Sequence, residues 1–153
     1  MTHTLELSVL PREVVKKQAP QAFSKTPSPK VSERYTFLST ERIIDDMAKL
    51  GWEVCDAKSK RTRIADTAEF GNHIIKFFNP KVFLKDAQGN REAYINILVM
   101  NNHNGAGTFR IEAGIFRLVC SNGLVIKDRD MGSYRIRHSG YSFEHLQNVL
   151  ASF

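Results

Sequence analysis

The chain has 153 residues, a length that fits one domain, and its 42% hydrophobic and 10% aromatic content is enough for a packed core. Lys and Arg number 22 against 16 Asp and Glu, a formal charge of +6, which tilts the molecule toward anionic partners, with nucleic acid first. The two cysteines, Cys55 and Cys120, lie far apart and give neither a disulfide framework nor zinc-knuckle spacing; no run approaches the roughly 18 apolar residues of a membrane span. The first residues, MTHTLELSVLPREVV, lack the pattern of a secretory leader, so a cytoplasmic protein with free thiols and no membrane partner is expected.

Residues 1–38 read as an extended N-terminal arm. Pro11, Pro20, Pro27 and Pro29 punctuate it, and proline lacks the donor that a helix interior or central strand requires. Phe23, Tyr35, Phe37 and Leu38 are its expected buried anchors. A single α+β domain is expected over 39–153. It opens with a helix over 40–50, for which Ser39 or Thr40 supplies the cap and Glu41 suits the positive end of the dipole. Ile43, Ile44, Met47 and Leu50 share one face, and Gly51 is the stop residue.

From Trp52 onward the pattern turns to strands, predicted at 52–56, 61–65, 72–78, 82–84, 93–100, 108–119, 124–126 and 133–138. Turn residues fill 86–90 and 104–107. Short connections between consecutive strands imply an antiparallel sheet. Along 108–119 the alternation changes phase at Gly114, the signature of a bulge or kink. The spacing returns to helical at the end, where Phe143, Leu146, Val149, Leu150 and Phe153 make one face and Ser142 is the cap. The chain stops on that apolar face, so the sequence leaves two readings: the helix packs back fully, or the chain is a fragment of a longer protein.

Three polar constellations are candidates for function. The first is basic: Lys58, Lys60, Arg61 and Arg63 put four cations into six residues, and Arg135 and Arg137 share a strand face about 7 Å apart. Arg110, Arg117 and Lys127 join them if their strands neighbour, and Tyr94, Phe109 and Tyr134 offer rings on which single-stranded bases can stack. The competing reading is a solvated loop over 58–63, with the arginines paired to Glu112, Asp128 or Asp130. The second is a zinc-type set, His73, His103, Cys120 and His138. None of these has ligand spacing to another, and His138 fits a core histidine equally well, so no metal and no cofactor is expected. The third is nucleophilic, with Cys120 as thiolate, His103 or His138 as base, and Asn101 or Asn122 as the orienting group. Against it, Cys120 fits a small buried residue and Ser121-Asn122-Gly123 a tight turn. The chain has no glycine-rich phosphate loop and no His-Glu-x-x-His, so ATPase, dinucleotide-enzyme and metalloprotease readings lack support, and a non-enzymatic protein is expected.

The segments NNHNGAGTFRIEAGIFRLVCSNGL and YRIRHSG resemble a family of phage- and plasmid-related proteins, domain of unknown function 932. The resemblance extends upstream through RYTFLSTERIIDDMAKLGW and SKRTRIADTAEFGNHIIKF. The positions that carry it are Asn101, His103, Gly105, Arg117, Cys120, Ser121, Asn122, Gly123, Arg137 and His138. One departure is chemical. This chain reads Asn-Asn-His-Asn-Gly where the family pattern has Asn-Ser-His-Asp-Gly, and losing the acid weakens an acid–base or hard-metal role there. Family members also continue past the point where this chain stops.

The resemblance implies a mobile-element setting near recombination, replication or anti-defence functions. Together these observations predict an α+β fold, a bent antiparallel β-sheet with packed α-helices. The expected partner is nucleic acid, with single-stranded DNA favoured and phosphate contacts from Lys58, Lys60, Arg61, Arg63, Arg110, Arg117, Arg135 and Arg137. A host protein captured by the arm, a homo-oligomer, and a hydrolase or metal site centred on His103, Cys120 and His138 are the alternatives.

Overall fold

The computed structural model describes residues 8–25, 37–59, 73–102, 109–118, 125–136 and 141–153. Five strands, β1 (Glu53–Ser59), β2 (His73–Lys85), β3 (Arg91–Asn101), β4 (Phe109–Leu118) and β5 (Val125–Ile136), form one sheet in the order β1-β2-β3-β4-β5. Every neighbouring pair is antiparallel, as the short connections from β2 to β5 require. Three helices, α1 (Arg12–Gln18), α2 (Thr40–Lys49) and α3 (Phe143–Ala151), complete the α+β fold.

The core lies on one face of the sheet. Ala57, Ile75, Phe77, Ile97, Val99, Phe109, Ile111 and Ala113 point from the strands toward Val15, Ile43, Met47, Leu146 and Val149 of the helices. Burial of these side chains is the main favourable term, about 1.5–3 kcal/mol for each large apolar group. The opposite face is not wholly polar: Leu98 and Phe78 are buried there, as are Lys76, Asn96 and Glu112.

α2 forms where its sequence predicts it. Ser39 is the cap, its hydroxyl accepting from Arg42 N at 3.3 Å. At the other end Gly51 takes φ +90°. Its N–H donates to Ala48 O at 3.1 Å and Trp52 N–H to Met47 O at 2.9 Å, the paired bonds of a Schellman motif. α3 starts on Ser142, whose hydroxyl accepts from His145 N at 3.1 Å.

Three local expectations are corrected. Within the segment read as extended, α1 and a 3-10 turn, Pro20–Phe23, pack against the domain, with Val15, Ala19 and Ala22 buried in the core. Pro11 occupies the helix N-cap and Pro20 the first position of the 3-10 turn, places where the missing N–H costs nothing. The two strands expected at 72–78 and 82–84 are one over the described residues, β2 from His73, whose register jumps between Phe78 and Phe83; Asn79-Pro80-Lys81-Val82 bulge out, and the Asn79 side chain accepts from Lys81 N at 3.0 Å. The strands expected at 124–126 and 133–138 are likewise one over the described residues, β5, with irregularities opposite Ala113/Gly114 and Ile115/Phe116. The first of these coincides with the phase change expected at Gly114. The strand expected at 61–65 lies outside the described residues.

Candidate nucleic-acid interface

The meander decides which polar segments share an end. Ser59 closes β1, His73 opens β2, Asn101 closes β3, Phe109 opens β4 and Ile136 closes β5. Lys58, the Asn101–Asn102 pair and Arg135 therefore gather at one end of the sheet. The connection carrying Cys120, Ser121, Asn122 and Gly123 leaves from Leu118, at the other end. Arg110 and Leu118 are separated by about 25 Å of strand at a rise of ~3.3 Å per residue. Lys60, Arg61, Arg63, His103, Gly105, Cys120, Ser121, Asn122, Gly123, Arg137 and His138 lie outside the described residues, and Arg117 is described only as a backbone position in β4.

At the gathered end the register places Lys58, Ile74, Met100, Arg110 and Arg135 on one cross-strand row. Partners in an antiparallel ladder project to the same side, here the face away from the helices. The row carries three cations with two apolar residues in the middle. Neighbouring strands lie about 4.8 Å apart, so Lys58 and Arg110 are separated by roughly 14 Å. Lys58, Ile74, Met100 and Arg110 are half-buried and Arg135 is exposed, whereas the next row inward, with Lys76, Leu98 and Glu112, is buried. Glu112 Oε1 pairs with Arg110 Nη1 at 3.6 Å.

The expected stacking rings divide differently. Phe109 is fully buried on the helix face, edge-on to Tyr141 with centroids 5.9 Å apart, so it is a core residue and not a stacking platform. Tyr94 packs edge-on against Phe78 and Phe83. Tyr134 is 41% exposed and lies edge-on to Phe153.

On the helix side of the same end, a buried polar bridge ties three elements together. Asn101 Nδ2 donates to Leu38 O at 3.1 Å and to Thr40 Oγ1 at 2.9 Å. Thr40 Oγ1 and His73 Nε2 are 2.6 Å apart. All three side chains are nearly inaccessible, where an unpaired polar atom carries a desolvation cost; of the bridge, Asn101 Oδ1 finds no partner among the described residues. Asn101, which opens the Asn-x-His-x-Gly segment, thus fixes the end of β3 to the start of α2, while His73 does the same for β2. Further along α2, Tyr141 donates to Asp46 Oδ2 at 2.7 Å, and Arg42 lies over the Tyr141 ring at 5.1 Å. Burial, then the Asp46 hydrogen bond and charge, push the Tyr141 hydroxyl well above the ordinary tyrosine range. The Arg110–Glu112 pair is one the competing sequence reading named; that reading missed Asp46, took Thr40 only as a cap, and gave no sign that all three are buried, since polar residues on helices and strands carry no mark of burial until the register is known.

Two further titratable groups among the described residues are shifted by their packing. Cys55 occupies the β1 irregularity between Val54 and Asp56 and donates to Lys76 O at 3.5 Å. Burial pushes its thiol up to about 12, the opposite of what a nucleophile needs. Glu41 receives Arg12 at 3.0 Å and is also paired with Lys25, and Arg12 reaches Asp45 as well. The Lys25 hydrogen bond, with the charges of Lys25, Arg12 and Lys16, holds the Glu41 carboxyl below its ordinary value. Among the described residues no group of three or more His, Cys, Asp or Glu could hold a metal ion, and no helix is long and apolar enough to cross a membrane.

The family model of the Domain of unknown function (DUF932) matches residues 29–153. The chain belongs to this family. Curated proteins similar to the chain include two from Escherichia coli (strain K12), UPF0380 protein YafZ and UPF0380 protein YfjQ, each 28% identical over 131 residues, or 86% of this chain. The chain spans 45% of the length of each. No solved structure matches it.

Proposed function

We propose that this DUF932 chain is a non-enzymatic accessory protein of a mobile element that binds single-stranded nucleic acid, with DNA favoured, in support of recombination or replication. The observation that carries the reading is the Arg110–Arg135 pair. Like charges directly opposite on neighbouring strands are unfavourable in an empty sheet, and a phosphate between them converts that repulsion into a binding contribution. Lys58 extends the row, and Ile74 and Met100 give bases an apolar surface between the cations. The net charge of +6 supplies long-range attraction. The mobile-element setting rests on the family resemblance alone and is an association.

The test is fluorescence anisotropy with labelled single-stranded DNA, single-stranded RNA and duplex DNA at two salt concentrations. Single-strand binding that weakens steeply with salt is expected, because each phosphate contact releases counterions. Absence of binding at low salt, or binding indifferent to salt, would overturn the reading.

A further inference from the structure

We infer that Glu112 is a positioning residue: its buried carboxylate holds the Arg110 guanidinium in the orientation that receives a phosphate. The inference rests on the proposed nucleic-acid surface. Arg110 and Glu112 are two residues apart on β4 and therefore project to the same face. The Glu112 side chain is 6% exposed and the Arg110 side chain 35%. The pair thus spans the boundary between the buried row and the half-exposed row at the sheet end.

This geometry assigns different tasks to the two groups. A carboxylate at that depth is shielded from the ligand, so it does not contact nucleic acid. It acts through Arg110, whose Nη1 it holds at 3.6 Å. A guanidinium carries five donors in a planar fork, and anchoring one nitrogen leaves the other edge for a bidentate phosphate contact. An unanchored arginine facing Arg135 at the adjacent register position would swing away from its neighbour's charge and have to be reordered on binding. Glu112 also offsets part of the Arg110–Arg135 repulsion while the site is empty.

The experiment turns on the sign of an effect. Removing a negative charge beside a phosphate-binding surface strengthens binding if only net charge matters. Positioning predicts the reverse for Glu112→Gln, a loss of about three- to tenfold in affinity for a labelled oligodeoxythymidine. In an Arg110→Ala background Glu112→Gln should then have no effect. Arg110→Lys, which keeps the charge and loses the fork, should weaken binding by a similar factor and decides the matter if Glu112→Gln does not fold. Binding by the parent protein with equal or tighter binding by Glu112→Gln, or unchanged binding by Arg110→Lys, overturns the positioning role alone. A parent protein that fails to bind at low salt overturns the surface and the positioning role together.

Discussion

Arg110 and Arg135 are register partners across the β4–β5 ladder, two permanently charged cations at adjacent positions on one face. Glu112 compensates Arg110, and Arg135 is exposed. Arg135→Gln separates binding from stability. Losing one phosphate contact should lower the salt slope for a single strand by about 0.7. The denaturation midpoint should stay level or rise, since a like-charge neighbour is gone. Salt-dependent anisotropy and urea melts on the same variant check both halves.

The Thr40 hydroxyl is the centre of the buried bridge to His73 and Asn101. Thr40→Val keeps the shape and removes those bonds, so it should cost about 1–3 kcal/mol. Thr40→Ser, which keeps the hydroxyl, should cost less. In a double-mutant cycle Thr40→Val and Asn101→Ala should be non-additive, because they break the same bond. Equal melting temperatures for Thr40→Val and the parent would show that the bridge contributes nothing to stability.

These two relationships also mark where sequence reasoning reaches and where it stops. Ser39 and Gly51 announce α2 because caps are local: a hydroxyl three residues before an amide, and a glycine where φ turns positive. Val15, Ala19 and Ala22 repeat at helical spacing as well, a signal that the prolines of the segment obscured. Cross-strand partnership is not local. Arg110 meets Arg135 only because the irregularities opposite Gly114 and Ile115 shift the ladder, and the bulge over 79–82 similarly hides the continuity of β2. The partnership of Thr40 with His73 and Asn101 joins residues 33 and 61 positions apart, which no periodicity encodes. The resemblance to DUF932 points to Asn101 as a motif position, but nothing in the motif tells that its amide bonds to Leu38 and Thr40.

Gly132 fits where no side chain would. Its φ is +130°, and a Cβ there would come within 3.0 Å of the Phe153 ring. Gly132→Ala should lose about 1–3 kcal/mol through dihedral strain and displacement of the ring. Adding Phe153→Ala to Gly132→Ala relieves the clash but not the dihedral, so the double variant should lose less than the sum of the singles. Additive losses in thermal melts would mean that the ring and the glycine do not touch in solution.

Cys55 gives a prediction with a defined pH sign. Its thiol stays protonated in the folded protein up to about 12, whereas the unfolded chain releases that proton near 8.5. At pH 8 the folded thiolate fraction is on the order of 10⁻⁴, so iodoacetamide should label Cys55 at the rate of global or local opening and not at the rate of a free thiol. The raised value also links to stability. The contribution is fully present below the unfolded value and is lost as pH rises toward the folded one, because over that interval unfolding releases a proton. Cys55→Ala should therefore flatten the decline in stability between about pH 9 and pH 11. Mass spectrometry after timed alkylation, with and without denaturant, reads the first effect, and urea titrations across that range read the second. Rapid labelling of Cys55 in the native protein would show that the β1 irregularity opens to solvent far more readily than its packing implies.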